Sequence, residues 1–271
     1  MSAASTRFAA CGVLTLTTDF GLRDPFVGVM KGQVLLRFPQ ARIVDLTHEV
    51  LAHWPAEAGF WLARSFRYFP RGTVHVAVVD PGVGGPRDLA VVESEGHLFL
   101  APDNGLLGAV VDTVASPVLR RVEQAVLGRV GIGVPSATFH GRDVFAPLAA
   151  ELASGRLAPD ELGPTVEELI PGWLEEPVVT ADQVSGSIVT IDHFGNLISN
   201  IGTTHLGGIS QPAIRVGGRE LPLRRTYGDV RPGEYLALLN SFGMLEIARA
   251  ERSAAEGLGL DRGAPVIVFH K

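Results

Sequence analysis

The chain has 271 residues, 46% of them hydrophobic, and a formal net charge of −6 at pH 7. This length allows one large domain or two ordinary ones with an ample core. The mildly negative charge and the lack of a basic run argue against nucleic-acid binding. Apolar stretches are interrupted by charge, Gly or Pro well before the roughly 20 residues that span a bilayer, so we expect no membrane association.

The opening residues bear on the expected compartment, and the single cysteine bears on disulfides and metal binding. The segment MSAASTRFAACGV contains one arginine but no sustained apolar run, so we predict no signal peptide and expect a cytoplasmic protein. Cys11 is the only cysteine, so it has no partner for an intrachain disulfide or a thiolate metal cluster. We interpret it as a buried or incidental thiol.

The first predicted strand, residues 13–17, runs into the sequence TDFG at 18–21. Asp19 is thus an acid at a strand end, where it can accept hydrogen bonds from ribose hydroxyls. No G-x-G-x-x-G follows, so a Rossmann dinucleotide site is not supported. Apolar residues at helical spacing predict a helix over 26–38, which Pro39 terminates.

A second strand is predicted at 43–46 and is followed by Thr47, His48 and Glu49. The His–Glu pair lacks the H-E-x-x-H spacing of a metal site, so we interpret it as loop hydrogen bonding and expect no bound metal. Residues 55–69 then predict an amphipathic helix whose aromatic side chains belong to the core.

The stretch 73–105 contains two apolar strand-like runs, each followed by a loop rich in Gly, Pro and charge. Residues 73–79 predict a strand buried on both faces, as in a parallel sheet. The following PGVGGPR cannot extend that strand, so Asp80 and Arg87 share a tight loop. Open α/β sheets place ligands at such carboxyl strand ends. The alternative is a salt bridge that only fixes the turn.

A second polar loop, PDNG at 102–105, follows the predicted strand 98–101. Two neighbouring strands would therefore present polar groups at one edge of the sheet. Beyond it, residues 106–114 predict a helix and residues 118–122 a short strand.

The segment FHGRDVFAP at 139–147 places a titratable ring before a predicted helix at 144–154. Without further evidence His140 would more often be structural than catalytic, and Asp143 would serve only as a helix cap.

Gly and Pro punctuate residues 155–185, which indicates a connection between domains. We predict an amino-terminal α/β sandwich domain with a mostly parallel sheet over 1–170, a linker over 171–185, and a smaller β-barrel-like domain over 186–271. The β-like runs that predict the second domain lie at 187–191, 213–216, 235–240 and 266–269.

Two polar islands interrupt the predicted barrel, DHFGN at 192–196 and NSFG at 240–243. Asp, Asn, Ser and Gly are turn residues, so either island is also explained by turn chemistry alone.

Taken together, the islands resemble the S-adenosylmethionine (SAM) hydroxide adenosyltransferases, a family similar to the SAM-dependent fluorinase and chlorinase. The resemblance covers nearly the whole chain after the first dozen residues, and it implies an α/β domain, a β-barrel-like domain and a homotrimer with sites between subunits. It rests on TTDFG at 17–21, VVDPGVG at 78–84 with Arg87, PDNG at 102–105, FHGRDVFAP at 139–147, DHFGN at 192–196 and NSFGMLEIA at 240–248.

The resemblance also implies a role for each matching residue. The water-activating set would be Asp80, Arg87 and His140. The residues that would bind substrate are Asp19 at the ribose diol, Asp192 at the methionine ammonium, Asn196 at the adenine edge, Phe194 beside them, and Ser241 at the methionine carboxylate.

Two features separate this chain from the halogenases. Those enzymes have an aromatic residue at the position of Asp80 and a small one at the position of His140, so the hydrolase branch is favoured. They also have an arginine after the serine, where this chain has Phe242. Which residue helps Ser241 bind the carboxylate stays open, with Arg249 a possible helper.

The implied activity is hydrolysis of SAM to adenosine and L-methionine by displacement at the ribose C5′ carbon. SAM would be the substrate, and we expect no cofactor, because a sulfonium is already a good leaving group. A carboxylate flanked by positive charge suits activation of the water. The alternatives are a halide-dependent adenosyl transferase and a SAM or adenosine sensor without turnover.

Overall fold

The computed structural model describes residues 7–271. The segment for which we predicted no signal peptide begins with residues 1–6, which lie outside the described residues. The chain divides into two compact units, Met1–Trp173 and Leu174–Lys271, and each is described by itself. In the part that the structure describes, every helix is too short or too polar to cross a bilayer.

The first unit contains a six-stranded sheet in the order β2-β1-β3-β5-β4-β6. Strands β1, β2, β3 and β5 pair in parallel, and β4 pairs antiparallel with both β5 and β6. This confirms the predicted mostly parallel sheet. The strands are β1 (Val13–Thr18), β2 (Arg42–Thr47), β3 (Val74–Val78), β4 (Leu89–Ser94), β5 (His97–Pro102) and β6 (Val118–Arg121).

Helices and two apolar cores complete this unit. Met30, Phe145 and Leu148 belong to one core, and Phe66 and Phe99 to the other. Strands β3 and β5 are buried along their whole length, which explains why their sequences carry no formal charge. The helices are α1 (Phe26–Arg37), α2 (Pro55–Ser65), α3 (Gly108–Val111), α4 (Gln124–Arg129) and α5 (Ala146–Ala153).

Two helices are shorter than predicted, and one strand was not predicted. The helix predicted over 55–69 ends as α2 at Ser65 and continues as a 3₁₀ turn, and the helix predicted over 106–114 is only the four-residue α3. The sequence did not indicate β4. A tight turn of two residues, Glu95 and Gly96, joins β4 to β5, and both residues have positive φ (51° and 80°).

The second unit is a closed seven-stranded barrel, in agreement with the predicted β-barrel-like domain. Its order is β14-β10-β11-β12-β13-β9-β8, and β14 pairs back onto β8, while the short β7 adds to β8. The elements are β7 (Val178–Val179), β8 (Gln183–Ile191), β9 (Leu197–Gly202), β10 (Pro212–Val216), β11 (Arg219–Arg224), β12 (Tyr235–Leu239), β13 (Met244–Arg249), β14 (Pro265–His270) and helix α6 (Ala254–Leu258).

A buried histidine pair lies in the core of the first unit. His75 Nε2 is 3.1 Å from His97 Nδ1, and His75 Nδ1 is 2.8 Å from Thr15 Oγ1. The His75 ring stacks on Phe99 with centroids 5.0 Å apart. Burial, with a smaller contribution from His97, lowers the pKa of His75 to about 3.

This pair predicts acid sensitivity. The unfolded chain binds a proton at His75 below a pKa of 6.5, whereas the folded chain does not until about 3. The stability that this difference contributes is present above pH 6.5 and is lost as the pH falls toward 3, by up to about 1.4 kcal/mol per pH unit. Urea unfolding at pH 6.5 and pH 4.5 measures the loss. Between these pH values the free energy of unfolding should fall less in His75→Gln than in wild type. The control His53→Asn, at an exposed histidine, should lose as much as wild type. Equal slopes in wild type and His75→Gln would contradict the prediction.

Candidate active site

Asp80 and Arg87 lie on the loop that follows β3, and they form a buried ion pair. Arg87 donates from Nε and Nη2 to Asp80 Oδ2, at 2.9 and 2.5 Å. Their side chains are only 4% and 11% exposed, so the pair is largely screened from water. The second carboxylate oxygen, Oδ1, is buried and has no hydrogen-bond partner. A buried unpaired acceptor is costly, so this oxygen is available to accept a hydrogen bond from a bound molecule.

Gly84 fits this loop against the segment that precedes His140. Its φ is +78°, and a Cβ at this position would lie 2.2 Å from the backbone oxygen of Ala137. Only glycine combines this backbone conformation with such a close approach. The loop that carries Asp80 and Arg87 is therefore packed directly on the 136–140 segment.

His140 completes the cluster from 53 residues further along the chain than Arg87. Its Nδ1 is 2.8 Å from Arg87 Nη2. A guanidinium only donates, so Nδ1 accepts and the proton of the neutral ring is on Nε2. His140 immediately precedes a π-helical turn, Gly141–Phe145, that leads into α5. Such turns interrupt a regular helix and often occur at functional sites.

The surroundings of His140 favour its neutral ring. Burial lowers the pKa of His140, and the Arg87 charge lowers it further, while Asp80 and Asp143 oppose the shift in part. The Asp143 carboxylate accepts hydrogen bonds from Arg142 and from the backbone N–H of Ser136. It therefore holds the loop before His140 and does not cap the helix.

A cavity of about 780 Å³ opens beside this cluster. Three phenylalanine rings meet edge to face at its wall, with centroids 5.4 to 6.1 Å apart. Such an apolar wall lowers the local dielectric and strengthens charge interactions inside the cavity. The lining includes Asp19, Phe20, Phe26, Asp80, Phe139 and His140.

Asp19 lies in this same cavity, at the end of β1. Its Oδ2 accepts the backbone N–H of His53 at 2.9 Å. His53 has a φ of +65°, a conformation uncommon outside glycine, and this aims its N–H at the carboxylate. The structure thus brings four predicted residues, Asp19, Asp80, Arg87 and His140, into one region of the first unit.

The second polar loop, residues 102–105, has a structural role, whereas its sequence suggested that it presents polar groups at the edge of the sheet. Asp103 is paired with Arg121 and accepts the backbone N–H of Ile170. Asn104 donates from Nδ2 to the Val79 carbonyl, directly before Asp80. Asn104 thus braces the end of β3 and Asp103 ties β6 to the 170 segment, and neither is among the residues that line the cavity.

The four remaining predicted residues belong to the barrel. Asp192 accepts the backbone N–H groups of Phe194 and Asn196, each at 2.9 Å, and the Asn196 side-chain amide at 3.0 Å. Asn196 is buried, whereas Phe194 is 74% exposed and Ser241 is also exposed. The DHFGN island is therefore a compact turn with one exposed aromatic ring.

A buried acid beside these residues was missed by the sequence reasoning. Glu246, on β13, is 2% exposed and accepts the Tyr227 hydroxyl at 2.6 Å and the Asn240 amide at 3.2 Å. Burial is the main reason why the pKa of Glu246 is raised, and Asp192 adds to it. The motif NSFGMLEIA contained Glu246, but no local spacing signalled a contact with Tyr227. Among residues 7–271 no group of three or more His, Cys, Asp or Glu side chains is arranged to hold a metal ion.

Comparison with known families identifies the chain. The profile of the SAM hydroxide adenosyltransferase N-terminal domain matches residues 14–163, and that of the C-terminal domain matches residues 186–267. The chain belongs to the SAM hydroxide adenosyltransferase family.

Named relatives extend over nearly the whole chain. It is 40% identical over 256 residues to the (R)-S-adenosyl-L-methionine hydrolase of Thermus thermophilus, covering 92% of this chain and 96% of the relative. It is 37% identical to the enzyme of the same name from Salinispora tropica, covering 92% and 95%. A fluorinase of Nocardia brasiliensis is 29% identical, covering 94% and 96%. An uncharacterised conserved protein from Thermotoga maritima has a similar structure, with a TM-score of 0.85, 35% identity and coverage of 95% and 100%.

Proposed function

We propose that this protein hydrolyses (R)-S-adenosyl-L-methionine to adenosine and L-methionine by displacement at the ribose C5′ carbon. The observation that carries the proposal is the hydrogen-bonded cluster of Asp80, Arg87 and His140 beside the cavity. Hydrolases with 31 to 40% identity to this chain support the choice of water as the nucleophile.

The polarity of the cluster suits an attacking water. Asp80 Oδ1 is a free acceptor for the proton of the water, because Arg87 occupies only Oδ2. His140 has its proton on Nε2 and is a donor to the developing hydroxide. The Arg87 guanidinium supplies positive charge that stabilises both the carboxylate and the hydroxide character of the water.

The step is balanced without a further reactant. The water oxygen forms a bond to C5′ as the bond between C5′ and sulfur breaks, and the bonding pair stays on sulfur as the neutral thioether of methionine. The proton lost by the water passes to Asp80. A sulfonium leaves as a neutral group, so the leaving atom requires no proton from a general acid.

The remaining residues are proposed to bind the two ends of the substrate. Asp19 would hold the ribose diol. In the barrel, Asp192 would meet the ammonium, Asn196 the adenine edge and Ser241 the carboxylate, with Phe194 packed beside them. Phe242 brings no charge to the carboxylate.

Product analysis tests the proposed function. Incubation with (R)-S-adenosyl-L-methionine in halide-free buffer should yield adenosine and methionine in equal amounts by chromatography. A halogenated adenosyl product formed only with chloride or fluoride would select a halide-dependent transferase, and tight binding without any product would select a sensor.

We also propose a cytoplasmic homotrimer with sites shared between subunits. The family resemblance supports it, as do three exposed apolar side chains: Phe26, which lines the cavity, is 44% exposed, and Leu51 and Trp54, which flank the lining residues Ala52 and His53, are 44% and 36% exposed. The single cysteine fits a reducing compartment. Light scattering at assay concentration should give three times the 28.8 kDa chain mass. An active monomer would rule out shared sites.

A further inference from the structure

His48 is a buried histidine that the proposed reaction does not use. It follows β2 and is only 3% exposed, yet it contacts the chain on both sides of Asp19. Its Nδ1 is 2.8 Å from Thr18 Oγ1, and its carbonyl accepts the backbone N–H of Gly21 at 2.8 Å. Thr18 Oγ1 also accepts the backbone N–H of Phe20 at 3.2 Å. The turn that presents Asp19, residues 18–21, is thus held by hydrogen bonds at Thr18, at Phe20 and at Gly21.

The other side of the ring is held by charge. His48 Nε2 is 3.1 Å from Asp45 Oδ1, a close electrostatic contact that is poorly directed for a hydrogen bond. Lys31 Nζ is 2.6 Å from Asp45 Oδ2. Burial raises the pKa of Asp45, but the contacts with Lys31 and His48 outweigh it and the net shift is downward. Asp45 is therefore a carboxylate, which can only accept.

This charge sets the direction of the hydrogen bonds that His48 and Thr18 make on either side of Asp19. In the neutral ring, the proton is on Nε2, facing the Asp45 carboxylate, and Nδ1 is an acceptor. The Thr18 hydroxyl then donates to Nδ1, which leaves an oxygen lone pair for the Phe20 N–H. A continuous chain of contacts runs from Lys31 on α1 to the turn at Asp19.

We propose that His48 is a positioning residue that orients the Asp19 carboxylate toward the ribose diol. The inference rests on the proposed function through the role of Asp19. The Asp19 carboxylate accepts a hydrogen bond from the His53 N–H, and we infer that the rest of its orientation comes from the turn that His48 holds. Loosening this turn should lower the affinity for the ribose diol and leave Asp80, Arg87 and His140 in place.

Two substitutions of His48 separate its two contacts. The Oδ1 of asparagine can take the place of Nδ1 and accept from Thr18, but the side chain is too short for Asp45. The Nε2 of glutamine can take the place of the ring Nε2, but nothing then accepts from Thr18. We expect His48→Gln to raise KM about tenfold with little change in kcat, and His48→Asn to stay near wild type. Thr18→Val, which removes only the hydroxyl, should behave like His48→Gln.

Binding of nucleosides gives a readout that stability alone would not move. Calorimetry with adenosine and 2′,3′-dideoxyadenosine measures the preference for the diol. Wild type should prefer adenosine, and His48→Gln and Thr18→Val should lose most of that preference. Thr15→Val is the matched control. Thr15 lies on β1 like Thr18, and its hydroxyl makes a 2.8 Å contact with His75 Nδ1, away from Asp19. It should lower the melting temperature and leave the diol preference intact.

Wild-type KM and diol preference in folded Thr18→Val would overturn the proposal, as would equal impairment of His48→Asn and His48→Gln. Thr18→Val keeps the test decisive if the His48 variants do not fold. Failure of the proposed function is a separate result, namely a wild-type protein that releases no adenosine. In that case the nucleoside binding series still tests whether His48 sets the diol preference, and a wild type without that preference would overturn the inference.

Discussion

Asp80→Asn, Arg87→Ala and His140→Ala are each expected to lower turnover by about 10²- to 10⁴-fold while substrate binding is retained. The asparagine keeps the size of Asp80 but cannot accept a proton from the water. The Arg87 variant removes the charge that holds Asp80 and fixes the acceptor role of His140 Nδ1. The His140 variant removes the donor on Nε2.

Binding and turnover must be measured on the same samples, by calorimetry and by a product assay. Arg129→Ala is the control, because it removes an exposed arginine whose 3.4 Å pair with Glu161 lies away from the cavity. It should keep wild-type turnover. Normal turnover in all three cluster variants would show that the Asp80–Arg87–His140 contacts are structural. Arg87→Ala also leaves a buried carboxylate unpaired, so its melting temperature should fall most.

Gly84→Ala is expected to cost stability and turnover together. A non-glycine residue at φ +78° is strained by about 1–3 kcal/mol. The added Cβ would also collide with the Ala137 backbone oxygen and force the two loops apart. Because His140 follows that segment, its distance from Arg87 should increase, and a misplacement of about 1 Å can lower turnover about 10²-fold.

The matched control is Gly133→Ala, in the segment before His140, where a Cβ meets nothing within 4 Å. It should leave turnover unchanged. Thermal unfolding and steady-state kinetics on both variants decide the matter. A Gly84→Ala protein with wild-type kcat would show that the packing of these loops does not position the cluster.

The strands that the sequence predicted best are those with uninterrupted apolar runs. β3 was found within two residues of its true bounds, because burial on both faces leaves a continuous uncharged run. β9, β11 and β13 were not predicted, since polar residues such as Asn200, Glu220 and Glu246 interrupt their apolar runs. Their pairing depends on partners that are distant in sequence.

The candidate site divides in the same way. Asp80 and Arg87 share one loop, so their pairing could be inferred from the sequence alone. The contact between Arg87 and His140 joins residues 53 positions apart, and only the family resemblance suggested it. His48 was interpreted as loop hydrogen bonding. That description was correct, but its contact with Thr18 depends on the parallel pairing of β1 with β2. The register between two strands cannot be inferred from the local sequence of either one.

The most direct test of the central claim follows the oxygen of the water. The protein is incubated with (R)-S-adenosyl-L-methionine in water enriched in heavy oxygen, without halide, and the products are examined by mass spectrometry. Attack at C5′ predicts one labelled oxygen in the 5′-hydroxyl of adenosine and none in methionine. Unlabelled adenosine, or adenine as the main product, would contradict it.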